Sequence, residues 1–119
     1  MSISCVAVVE DDVSCRESLE GLLQATGYAV LPYVSAEDFL ASGRLQEIHC
    51  LVTDYGLPGL NGIDLLLAAH SLRSELPVIL VTGNSETDIL RRALSAGAHC
   101  ALSKPVDTAA LLSAISGVC

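Results

Sequence analysis

The 119 residues are 51% hydrophobic and 17% charged, which fits one domain with enough apolar surface to exclude intrinsic disorder. Six basic against fourteen acidic residues give a formal charge of −8, arguing against a chain that wraps nucleic acid by itself. No apolar run approaches the ~20 residues of a membrane span and residues 1–10 lack the basic start of a signal peptide, so an acidic globule of the cytoplasm is expected.

In chain order, Ile3–Val9 is apolar and β-rich and stops at Glu10-Asp11-Asp12. From Val13 to Ala25, Cys15, Leu19, Leu22 and Leu23 fall at helical spacing, and Gly27 ends the run. Tyr28–Val34 reads as a second strand, which Pro32 demotes to a sheet edge. Ser35 caps a short helix over 36–42. Ile48–Thr53 is a third strand ending at Asp54, and the Gly- and Pro-rich stretch 55–61 is a loop. Gly62–Leu72 is helical, Pro77–Thr82 a fourth strand, and Ser85 precedes a helix to Ala96 that Gly97 stops. His99–Ser103 is a fifth strand, and Asp107 starts a last helix to about Ser116.

Short apolar strands alternating with longer amphipathic helices are repeated βα units. Helical crossovers make the strands parallel and cover both faces of the sheet, which is why the strands read as unbroken apolar runs. The expected fold is α/β and flavodoxin-like: a five-stranded parallel sheet between helices, as one domain over 1–119. The five cysteines are odd in number and lack Cys-x-x-Cys or zinc-finger spacing, so they read as buried or incidental thiols.

In an open parallel sheet, ligands sit at the carboxyl ends of the strands. Those ends deliver Glu10-Asp11-Asp12, Asp54, Thr82 and Lys104. Any one of these has an ordinary role: Asp12 a helix cap, Asp54 a turn former, Thr82 a strand-end hydroxyl, Lys104 a surface charge. Together they fall on one edge. Three carboxylates brought to ~5 Å repel by roughly 3 kcal/mol per pair at an effective dielectric of ~20, so the site must take up a proton, a cation or both. All-oxygen ligation favours Mg2+ over Zn2+. Lys104, the one lysine among six basic residues, suits a point charge on a phosphoryl oxygen, with Thr82 on another and Asp54 as nucleophile.

These residues resemble the receiver domain of two-component response regulators. The resemblance rests on Val8-Val9-Glu10-Asp11-Asp12, on Asp54, Leu57, Pro58 and Gly62 of a D-x-x-[ML]-P-x-x-x-G pattern, on Val81-Thr82-Gly83 and on Lys104-Pro105. Spacings of 43, 28 and 22 residues between Asp11, Asp54, Thr82 and Lys104 also fit. The resemblance implies Asp54 as phosphoacceptor, Asp11 as direct Mg2+ ligand and Glu10 acting through a metal-bound water. It adds the Gly56 carbonyl as a further ligand, Thr82 and Lys104 on the phosphoryl group, and a cis bond before Pro105. It further implies a sensor histidine kinase or phosphotransfer protein as donor, a homodimer on phosphorylation, and self-phosphorylation and self-dephosphorylation without turnover of a metabolite. Ser35-Ala36-Glu37-Asp38-Phe39-Leu40 and the Val81-Thr82-Gly83 tripeptide are most similar to the subgroup with a LuxR-type helix-turn-helix output, which would lie beyond Cys119.

Two positions depart from the family pattern. Ala101 stands where Tyr or Phe is usual, three before Lys104, which puts the familiar switch in doubt; His99 is weighed as a substitute ring against an ordinary surface histidine. Asn84 occupies a position that tunes phosphoryl lifetime. Arg91 and Arg92 are expected to mark a partner surface. Two rivals stand beside the receiver: a phosphorylation-independent interaction module with a rewired switch, and an Asp-nucleophile phosphohydrolase. The hydrolase is disfavoured because Gly56, not an acid, follows Asp54 by two.

Overall fold

A computed structural model describes residues 3–83 and 87–119, of Thr87 the backbone alone. Five strands, β1 (Cys5–Val9), β2 (Ala29–Tyr33), β3 (Cys50–Asp54), β4 (Val78–Thr82) and β5 (Cys100–Ser103), pair in parallel in the order β2-β1-β3-β4-β5. Between and after them run α1 (Val13–Ala25), α2 (Ala36–Ala41), α3 (Gly62–Leu72), α4 (Thr87–Ser95) and α5 (Thr108–Ser116).

Strand parity sorts the core into two layers. Val6, Val8, Cys50, Val52, Ile79 and Val81 face Leu19 and Leu23 of α1 and Leu111 and Ile115 of α5. Ala7, Val9, Leu51, Val78 and Leu80 face α2, α3 and α4 through Phe39, Leu65, Leu66 and Ala93. Each large side chain held out of water here contributes roughly 1.5–3 kcal/mol. β3 and β4 are buried along their whole length, as strands covered on both faces must be.

Most element ends fall where the residues predict them. Asp12 caps α1, accepting from the Cys15 N–H at 2.8 Å, and Asp107 caps α5. The second strand is shorter than 28–34 because the Tyr28 N–H is spent on the Leu23 carbonyl, closing α1 through Gly27 at φ +106°. The first begins at Cys5, with Ile3 exposed. Pro32 lies on the edge strand β2, opposite Val8, where its missing N–H costs no ladder bond. A 3-10 turn over Leu45–Glu47 was not foreseen, being too short for any periodicity. The proposed cap Ser85 lies outside the described residues.

Candidate functional site

The strand order reverses between β1 and β3, and there the carboxyl ends of neighbouring strands open a crevice. Glu10 follows β1 and Asp54 ends β3; both are buried, at 2% and 8% exposure, while Asp11 beside them is exposed. One carboxylate oxygen of each of Glu10, Asp11 and Asp54 lies within 4.8 Å of the other two. Lys104, after β5, reaches across the edge: its Nζ is 2.6 Å from Glu10 Oε1 and 3.2 Å from Asp54 Oδ1. Residues 94 positions apart thus share a hydrogen bond. The Lys104–Pro105 bond is cis.

Electrostatics separate the two buried acids. Burial raises the pKa of Glu10, but hydrogen bonds from Lys104, the Asp12 N–H and the Cys15 thiol outweigh it, and the net shift is down. Asp54 goes the other way: burial and the Glu10 charge push its pKa up, against the partial relief of Lys104. The ammonium is disfavoured by burial yet held protonated by both carboxylates, so its pKa is raised. Glu10 and Lys104 form the fixed ion pair, and Asp54 is the strained third charge.

Backbone detail shapes the crevice. A Cβ on Gly62 would sit 2.5 Å from the Asp54 carbonyl oxygen and 2.9 Å from Tyr55 Cα, so only glycine lets α3 start this close to β3. A Cβ on Gly56 would lie 3.7 Å from Asp54 Oδ2, which puts the backbone of that residue beside the carboxylate. Thr82 ends β4, 1% exposed, and pairs in register with Ser103, one residue before Lys104. Beside Lys104 a cleft of about 470 Å3 runs along α1, lined by Cys15, Leu22, Pro105 and Val106 among others.

The remaining positions lie further out. Ala101 sits on β5 opposite Leu80, half-buried against the layer of α3 and α4. His99 is exposed, just before β5, and Arg91 and Arg92 are exposed on α4. Asn84 lies outside the described residues.

Two contributors escaped the reading of the residues. Arg16 Nη1 donates to the Glu10 carbonyl at 2.8 Å; side chains in a first helical turn point back toward the helix N-terminus, a signal that could have found it. Glu37 accepts from the Leu60 N–H at 2.9 Å across 23 residues, a contact with no signal in spacing.

The donor set, three carboxylates beside the Gly56 backbone with neither thiolate nor imidazole in the cluster, fits a hard divalent cation such as Mg2+. Three acids against one amine leave an excess of two negative charges for it to offset.

Fold and crevice define an acid-lined, flavodoxin-like α/β domain. Residues 6–116 match the response regulator receiver domain family, and the chain belongs to that family. The transcriptional regulatory protein FixJ of Azorhizobium caulinodans is 37% identical over 92% of this chain and 52% of its own length. A CheY-like receiver domain protein from Methanospirillum hungatei JF-1 superposes with a TM-score of 0.88 at 30% identity, over 98% of this chain and 93% of that one. The BeF3-activated receiver domain of DrrB gives 0.90 at 28%, over 98% and 97%. The chain spans about half the length of the curated relatives it matches. Among the described residues no helix is long and apolar enough to cross a membrane.

Proposed function

We propose that Asp54 accepts a phosphoryl group from a histidine kinase or phosphotransfer protein in a Mg2+-dependent transfer that switches an output domain or partner. The observation that carries this is the convergence of Glu10, Asp11 and Asp54 within 4.8 Å beneath a lysine 3.2 Å from Asp54. Glu10, Asp11, Asp54 and the Gly56 carbonyl would hold the ion, which offsets the charge of the phosphoryl oxygens when bound.

Asp54 then acts as nucleophile in its ionised form, which Lys104 and a bound cation would favour against burial and the Glu10 charge. An oxygen of Asp54 forms the new bond to phosphorus as the donor's N–P bond breaks, and the electron pair returns to the donor imidazole. Lys104 turns from the Asp54 oxygen to a phosphoryl oxygen while its link to Glu10 keeps it on station, and the Thr82 hydroxyl meets another. The cleft along α1 that Lys104 lines is the surface assigned to the donor. Capture of BeF3 by the DrrB receiver, 28% identical, supports an acyl-phosphate site. Water attack on the acyl phosphate resets the domain, so no metabolite is turned over.

Residues 1–119 form the receiver half of a longer cytoplasmic regulator, and the kinship with FixJ, a transcriptional regulatory protein, supports a LuxR-type DNA-binding output with dimerisation through the face carrying Arg91 and Arg92. The second reading, an interaction module with a rewired switch, is favoured by Ala101, which offers no ring to turn inward when Thr82 moves.

Incubation with Mg2+ and acetyl phosphate, read by intact mass, separates the readings. A Mg2+-dependent gain of ~80 Da that an Asp54→Asn variant lacks is the expected result. No adduct with Mg2+ bound favours the interaction module, and multiple turnover of phosphate esters a hydrolase.

A further inference from the structure

The loop from Tyr55 to Asn61 brings the Gly56 backbone beside the Asp54 carboxylate, where a Cβ would lie 3.7 Å from Oδ2, and most of its hydrogen bonds are local. Leu57 and Gly62 donate to the Tyr55 carbonyl at 3.0 and 2.9 Å, and Asn61 and Asp64 close a reciprocal capping box. Such bonds set the shape of the loop; its start is fixed on the sheet, where the Tyr55 N–H donates to the Val81 carbonyl at 2.7 Å and Leu57 is buried in the core, which leaves the Leu60 end to be held. Among the described residues, one side chain from another element grips it: the first-turn acid of α2, Glu37, whose Oε2 accepts the Leu60 N–H at 2.9 Å. Gly59 beside it has φ +74°, and a Cβ there would overlap the same carboxylate oxygen. The turn therefore wraps the Glu37 head with no room for a side chain.

The other end of this link leads back to the metal pocket. Phe39 of α2 stacks edge-on against Tyr33 of β2, ring centroids 5.2 Å apart, and the Tyr33 carbonyl accepts the Glu10 N–H at 3.1 Å. Glu37 thus joins the side of the crevice that carries Glu10 to the side that carries Gly56.

We infer that Glu37 is a positioning residue that clamps the 55–61 loop through the Leu60 amide and so holds the Gly56 carbonyl in place for the divalent ion. The inference rests on the Mg2+-binding reading above, and its own observable is the loop.

The test compares the full chain with Glu37→Ala and Glu37→Gln, by Leu60 amide exchange without metal and by calorimetric Mg2+ titration. Glu37→Ala should speed Leu60 exchange about tenfold, the cost of losing a bond to a charged acceptor, and weaken Mg2+ binding roughly three- to fivefold. Glu37→Gln keeps an acceptor oxygen without the charge and should restore both to within about twofold of wild type. Gly59→Ala should loosen the loop in wild type and do less in the Glu37→Ala background, where the overlapping carboxylate is gone. The clamp is overturned if Glu37→Ala leaves Leu60 exchange unchanged, or if Glu37→Gln is as poor as Glu37→Ala, which would assign the effect to the charge field. Faster exchange with unchanged Mg2+ affinity overturns the role in metal binding. A wild-type chain that binds no Mg2+ defeats the receiver chemistry instead, and Leu60 exchange alone then decides the clamp.

Discussion

Replacing Asp54 by asparagine should make the metal-free protein more stable, although it removes the residue on which function depends. Asp54 faces Glu10 and Asp11 at no more than 4.8 Å and Lys104 at 3.2 Å. At an effective dielectric of ~20 the two repulsions come to about 7 kcal/mol and the attraction to about 5. Roughly 2 kcal/mol of net repulsion remains, and desolvation of a carboxylate only 8% exposed works in the same direction. The raised pKa of Asp54 reports the same imbalance. The Asp54→Asn change removes the charge and keeps an oxygen for Lys104, so in EDTA the variant should melt about 5–10 °C above wild type. Because the folded chain binds this proton more readily than the unfolded one, the ionised form costs stability above the raised pKa. The gap between variant and wild type should therefore narrow as pH falls toward the ordinary aspartate value. Saturating Mg2+ should also narrow it, since the ion stabilises wild type by mass action. The assay is thermal unfolding by circular dichroism across pH 4–8, with and without Mg2+. An Asp54→Asn variant no more stable than wild type at pH 7 in EDTA would refute the electrostatic account of the crevice.

Lys104→Met should act in the opposite sense, leaving Glu10 buried without its partner at a cost of about 2–4 kcal/mol at pH 7, read by urea unfolding. Glu10 has a lowered pKa, so its contribution is present above the ordinary glutamate range and is lost as pH falls through the lowered value; the deficit of the Lys104→Met variant should shrink on that limb. Lys104→Arg should fold yet lose phosphorylation-dependent output, because a planar fork does not replace a point charge, and wild-type output from it would count against the assigned role. Gly62→Ala should cost about 2–3 kcal/mol, because the new Cβ meets the Asp54 carbonyl and Tyr55 Cα, both backbone atoms that cannot swing aside.

The strands were legible because burial on both faces forces unbroken apolar runs, as in Cys50–Val52 and Val78–Val81. The helices were legible from their stops and caps, with Gly27, Asp12 and Asp107 each in its foreseen place. The crevice could be anticipated because parallel βα units deliver strand ends to one edge, so Glu10, Asp54, Thr82 and Lys104 needed only the topology to be collected. What stayed hidden depends on how loops fold over that edge. Glu37 on the Leu60 amide binds a main-chain group, which carries no residue identity for a pattern to reveal, while Arg16 on the Glu10 carbonyl is signalled only by its place in the first turn of α1. The partition of charge, with Glu10 paired and Asp54 strained, likewise needs distances: composition says three acids, while 2.6 against 3.2 Å says which one owns the lysine.

The central claim is that Asp54 itself becomes the phosphoryl carrier. Borohydride reduces an acyl phosphate to the alcohol, so treatment after incubation with Mg2+ and acetyl phosphate should leave the peptide containing residue 54 lighter by ~14 Da, as homoserine, in proportion to the phosphate accepted. An unmodified Asp54 peptide beside a protein that has gained phosphate elsewhere, or gained none while binding Mg2+, would contradict the account.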